Sequence, residues 1–251
     1  MKQFAFLLFL CFSTGLHAQV KYGTIDYVRQ MEMKISSDAV DDKVMEDLHA
    51  QMAAAGAFTD NFKATFSPDG FTFFEAVKEK VSIETELAGG GIVIMETGGE
   101  EPTEFYTDTK AGRIINHDFI FDKGFLVEGP AEQLEWTITD EKISPSEATI
   151  GLDLVVATAV SAAGDTLTAG FAPSLPVQVG PLNYYGLPGA IITLRIPGSD
   201  GGAVLYRATS LSVSADPLPL TKPTEGKKIS PEKFRAEEKK RKKMMARQYR
   251  H

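Results

Sequence analysis

The sequence predicts a β-rich α+β chain: a curved, largely antiparallel sheet or half-barrel with one amphipathic N-terminal helix and a basic helical tail. Three observations carry that expectation. Apolar residues recur with period two in about a dozen short runs between turn signals. One segment near the start switches to helical spacing, with Val40, Val44, Met45, Leu48 and Met52 on one stripe. The last thirty residues are charged and rich in helix formers.

Taken in order, residues 1–18 read as an export signal. Lys2 supplies the positive start, Phe4 to Phe12 a short apolar core, and Leu16-His17-Ala18 the small-residue cut site before Gln19. The apolar run is shorter than the ~20 residues that span a bilayer. Cleavage between Ala18 and Gln19 removes Cys11, the one cysteine of the chain, so the mature protein has no disulfide, thiol nucleophile or thiolate metal site. The address implied is Sec export to the periplasm or beyond the cell.

Residues 19–216 are expected to form a single domain. Tyr22 to Ile35 is the first strand, and the helix follows after Ser37 and Asp38, stopping at Gly56. His49 lies off the apolar stripe and is expected in solvent. Lys63–Phe66, Ser67-Pro68-Asp69-Gly70 and Phe71–Ala76 form a hairpin signature, because proline and glycine pre-set turn dihedrals. Strands are expected at 81–87 and 92–97, divided by Gly89-Gly90-Gly91. A meander follows over 104–108, 113–121 and 124–127. Leu134, Trp136 and Ile138 alternate with polar residues, which predicts one dry and one wet face. Ile150–Ala159 reads as a central strand, Asp165–Phe171 as its hairpin partner, and 191–196 and 203–214 as the last strands.

Residues 217–251 form a proline-containing linker and a helix capped by Ser230-Pro231. From Lys222 onward there are 12 Lys/Arg against 4 Glu, whereas residues 19–221 hold 13 basic and 30 acidic residues. An acidic body excludes nucleic acid as an expected partner of the folded domain. Two readings of the tail stand: a solvated helix on a loose linker, or an electrostatic contact with the acidic body or an anionic envelope surface.

Chemistry-bearing patterns are scarce. The mature chain has His49, His117 and His251 and no Gly-x-Ser-x-Gly, so no nucleophile with a positioned base is legible. His117 and Asp118 are adjacent on a strand and point to opposite faces. Zinc spacing is absent, and no loop has the ligand density of a calcium site. The triple glycine is followed by a strand and no Lys-Ser/Thr, so it is no phosphate cradle. No catalytic residue, metal or cofactor is assigned. The rings of Phe71, Phe73, Phe119, Phe121 and Trp136 are core, or line an apolar groove on the concave face of the sheet.

The densest local signal is Tyr184-Tyr185-Gly186-Leu187-Pro188-Gly189-Ala190-Ile191. Pro188 fixes φ, and the flanking glycines are expected to take dihedrals closed to other residues, making a sharp entry into a strand. Tyr184 and Tyr185 stand beside that corner, as structural packing or as the lining of a pocket. The stretch resembles the signature of the GLPGLI family of exported bacterial proteins. The resemblance extends through Leu134–Ile138, Ile143, Ile150-Gly151, Ala157–Ala159, Pro176 and Gly180-Pro181 over essentially the whole mature chain. It implies an exported, β-rich fold. Two departures matter: Leu154 stands where the family usually places a cysteine, and Gly170 where it has a tryptophan.

Three functions remain open on these residues. The first is a non-catalytic envelope module binding an apolar small molecule or a partner protein. The second is a carboxylate-dependent hydrolase, and the third an assembly factor docking through its basic tail.

Overall fold

A computed structural model describes residues 20–32, 42–86, 92–144, 150–198 and 201–248. The cut site at Ala18 and Gln19, the triple glycine and His251 lie outside the described residues. The elements are β1 (Tyr22–Glu32), α1 (Asp42–Ala54), β2 (Thr59–Ser67), β3 (Gly70–Glu75), β4 (Val81–Glu86), β5 (Ile92–Thr97), β6 (Glu104–Asp108) and β7 (Arg113–Ile120). They continue with β8 (Lys123–Pro130), β9 (Thr137–Ile143), β10 (Leu154–Val160), β11 (Thr166–Ala172), β12 (Ala190–Pro197), β13 (Ala203–Ser214), β14 (Lys227–Ile229) and α2 (Pro231–Gln248).

Among the described residues, twelve strands form one open sheet in the order β14-β8-β7-β6-β3-β2-β1-β13-β12-β11-β10-β9, and β4 and β5 pair as a separate ribbon. Every pairing is antiparallel except β14 on β8. Hairpin chemistry sets the registers. In β2–β3, Ser67 pairs with Gly70 across Pro68-Asp69, and the Ser67 hydroxyl accepts from the Asp69 N–H at 3.2 Å.

Because side chains alternate along strands, these registers put Tyr27, Phe62, Phe73, Phe105 and Tyr206 on one face. Their rings meet there: Phe62 stacks on Phe73 at 4.7 Å, and Tyr206 meets both edge-on at 5.8 Å. Each fully buried phenylalanine contributes about 2–3 kcal/mol. Ile192 and Leu194 of β12 and Leu167 of β11 extend the same core, all with no exposed surface. The Tyr27 hydroxyl, deep in this layer, donates to the Ile191 carbonyl at 2.7 Å, so the phenol is buried with its polar end satisfied.

Several expectations change in the structure. β9 begins at Thr137, after Trp136, and Ile138 is 51% exposed while Leu134 and Trp136 pack on the core. The three therefore do not share one dry face. Trp136 turns instead to the corner, where its indole N–H donates to the Tyr185 carbonyl at 2.9 Å, a contact across the fold that sequence alternation does not encode. β10 is flanked by β11 and β9, as its continuous apolar run predicts, although it lies only one strand from the end of the sheet. His49 stacks on Phe58 at 4.7 Å, which takes its ring partly out of solvent.

The segment after Asp216 is no loose linker. Lys222 sits over the Tyr106 ring at 4.8 Å, Pro223 is buried, and Lys227–Ile229 add to the sheet as β14. Tyr106 belongs to the face opposite Phe105, whereas Phe234 of α2 packs with Ile120 and Val127 on the Phe105 face. The tail thus crosses one face, wraps the β8 edge and docks on the other.

Gly189 is also a correction. Gly186 has φ +101°, as the corner requires, but Gly189 does not lie in the left-handed region. Its constraint is space: a Cβ there would lie 2.1 Å from the Ala172 carbonyl oxygen, a backbone atom that cannot swing aside. We expect Gly189→Ala to destabilise by about 1–3 kcal/mol through overpacking. Equal urea midpoints for the variant and the wild type would contradict this close approach.

Candidate functional site

Between β11 and β12 the chain leaves the sheet for residues 173–189 and folds back over the inner face. The Ala190 N–H donates to the Leu175 carbonyl and the Ile191 N–H to the Val179 carbonyl, each at 2.9 Å. Gln178 staples the corner: its amide nitrogen donates to the Leu187 carbonyl at 2.8 Å, and its oxygen accepts from the Gly186 N–H at 2.9 Å. Leu187 fills the core with 1% exposure, in the same buried cluster as Val179 and Ile191.

The outer limb of the corner reaches far across the sheet. Asn183 and Asn116 of β7 exchange amide hydrogen bonds at 2.7 and 3.1 Å, and Asn183 donates its other N–H to the Thr107 hydroxyl of β6 at 2.8 Å. Between β12 and β6 the sheet order interposes β13, β1, β2 and β3, so this contact ties its two halves together. Leu182, beside it, has φ +56°, a strained value for a branched-chain residue, held by the contacts on either side.

Beside this amide pair lies a cleft of about 430 Å³ between the corner, β6–β8 and the first turns of α2. Phe105, Tyr184 and Phe234 give it rings, and Asp118, Glu132, Glu238 and Arg235 give it charge. Glu132 is anchored by accepting from the Ala162 N–H at 2.7 Å. Arg235 has no ion-pair partner among the described residues. Burial pushes the Asp118 carboxyl from its ordinary 3.8 up to about 6, with Glu238 adding to the rise and the Phe119 N–H, donating at 2.7 Å, opposing it. Burial likewise pushes Tyr184 up to about 12, with Glu132 contributing. The cleft can therefore pack an apolar group while pairing with a basic one.

The rings considered from the sequence are not brought together. Phe71 and Phe73 are fully buried in the core. Phe119 and Phe121 line a different hollow of about 560 Å³, beside Arg29, Asp60, Glu75 and Lys78. Trp136 and Tyr185 brace the corner, with Gln133 donating to the Tyr185 hydroxyl at 2.8 Å. Of the corner residues, Tyr184 alone of the tyrosine pair enters the cleft, while Ala190 and Ile191 are buried in the core. Pro188 is exposed. His117 is buried against Phe119, on the face opposite Asp118.

Sequence reading missed Asn183, Asn116, Glu132, Arg235 and Glu238. One signal was present: in β7 the alternate residues Ile114, Asn116, Asp118 and Ile120 set two polar groups inside an otherwise apolar stripe. The α2 residues carried no such signal, because the docking of the tail depends on β14.

A folded carboxyl that keeps its proton to higher pH than the unfolded one penalises folding where the unfolded one has ionised. The penalty from Asp118 is absent below pH 3.8, grows up to about 6 and is complete above that. We expect Asp118→Asn to stabilise the protein by on the order of 2 kcal/mol near pH 7, the gain shrinking toward pH 4. Urea titrations at the two pH values check this, and a gain independent of pH would contradict it.

No protein-family model and no curated protein matches the chain. Among solved structures, a structure of PNGF-II is similar at 12% identity with a TM-score of 0.49, over 86% of this chain and 32% of that one. The chain thus spans about a third of the length of that structure.

Proposed function

We propose that this chain is an exported cell-envelope protein of the GLPGLI family that works as a non-catalytic binding module. Sec export delivers it to the periplasm or beyond the cell. Its sheet serves as a half-barrel carrying one amphipathic N-terminal helix and a basic C-terminal helix. The family's cysteine position holds Leu154, which is 1% exposed in the core, so no thiol chemistry operates there.

The observation that carries the binding reading is the cleft at the glycine corner. The inner face of the sheet is occupied by the corner itself, through Leu187, Val177 and Val179. The open space beside it has a mixed lining, with three rings, three carboxylates and one guanidinium. That chemistry favours a polypeptide segment presenting an apolar and a basic side chain over a wholly apolar small molecule.

A second reading, a carboxylate-dependent hydrolase, draws on one observation. Asp118 titrates at about 6, near the range a general acid needs, and shares the cleft with Glu132 and Glu238.

A photo-crosslinking residue in place of Tyr184, introduced in the exporting host, separates the two. Binding of a partner yields a discrete protein adduct that disappears when Asp118→Arg reverses the charge of the cleft. An adduct pattern indifferent to that substitution contradicts the binding reading. Hydrolytic turnover lost in Asp118→Asn, with folding intact, would move the assignment to the hydrolase.

A further inference from the structure

A second concavity lies on the other flank of α2, and the Tyr184 cleft does not account for it. It is a groove of about 950 Å³ between α2, β14 and β8. Phe125, Ile229 and Ala236 give it an apolar floor, and its rim carries six cations against two carboxylates. Glu128 approaches Lys228 at 3.7 Å, and Glu237 approaches Arg241 at 3.5 Å. Lys123, Lys227, Lys233 and Lys240 are all exposed and have no ion-pair partner among the described residues. On a chain whose residues 19–221 are strongly acidic, four unpaired lysines around one hollow form a local positive field.

The groove also borders a strand edge. Among the described residues β14 has one strand neighbour, β8, so its other side carries backbone N–H and C=O groups open to pairing. Lys227 and Ile229 share the face of Phe125 and Val127, the face on which α2 lies. A strand laid beside β14 would therefore send every second side chain into the groove, toward Lys227, Lys233 and Lys240.

We propose that the β14 edge and the groove beside it form a docking site for an extended acidic segment of a partner protein, added to the sheet as a further strand. Backbone pairing supplies the orientation, and the lysines select acidic side chains at alternate positions. The tail thereby acquires a role distinct from surface attachment. A bilayer would meet the exposed Lys239 and Lys243 of α2, whereas the hollow beside β14 opens onto a strand edge.

The test uses the mature chain and a fluorescein-labelled peptide of alternating Glu and Val, followed by fluorescence anisotropy. We expect saturable binding that weakens with added salt and is absent for the Lys-Val counterpart. The double substitution Lys227→Glu and Lys240→Glu lies on exposed side chains and should weaken binding by about tenfold or more without changing the circular dichroism spectrum. A Glu-Val peptide N-methylated at every residue keeps its charge and loses its backbone donors on both edges, and should not bind. Equal binding of the N-methylated peptide overturns strand addition. No peptide binding, together with capture on phosphatidylglycerol vesicles that the double substitution abolishes, overturns the proposal in favour of a membrane contact.

Discussion

The amide exchange between Asn183 and Asn116 is the constraint on which the rest of the molecule depends. Open sheets of this size have no intrinsic reason to hold strands six positions apart at a fixed distance. Here a polar pair does it, reaching from the corner before β12 to β7. Its direct stabilisation is modest, about 1 kcal/mol for each bond. The asymmetry matters more: with either amide removed the other loses its partner, and removal of Asn183 strips the Thr107 hydroxyl as well. That costs about 1–3 kcal/mol for each group left unsatisfied. The pair therefore specifies where the corner sits more than it adds to total stability, and the position of the corner decides that Tyr184 faces Phe234 across an open cleft.

The basic helix divides its surface by its own period. Pro231, Phe234, Arg235 and Glu238 recur at three- and four-residue steps and face the corner cleft. Lys233, Ala236, Glu237, Lys240 and Arg241 recur at the same steps on the adjoining flank and face the groove beside β14. Phe234, meeting Phe125 edge-on at 5.7 Å, anchors the seam between the two. A helix with no broad apolar stripe can dock this way because β14 has already delivered its first turn to the sheet.

Local rules made much of the fold legible in the sequence. The β2–β3 hairpin follows from Pro68, Asp69 and Gly70, and the meander β6–β8 from alternation around polar turns, since both depend on neighbours in the chain. The corner was legible as a corner, yet the role of Gly189 was not. A glycine needed for φ and one needed for room look alike in sequence, and only the Ala172 carbonyl distinguishes them. β14 was hidden for a related reason: Lys227-Lys228-Ile229 has no strand signature, and its pairing depends on Lys222 and Pro223 first crossing the sheet. The cleft was hidden because Asn116, Asn183 and Glu238 are far apart in sequence and meet through topology alone.

A double-mutant cycle on Asn183→Ala and Asn116→Ala, read by urea denaturation, tests most directly whether the amide pair sets the corner. If the two act as one contact, each single variant is destabilised and the double variant by less than their sum, with a coupling of about 1 kcal/mol or more. Strict additivity, with coupling within a few tenths of a kcal/mol of zero, would show that the corner keeps its place without them.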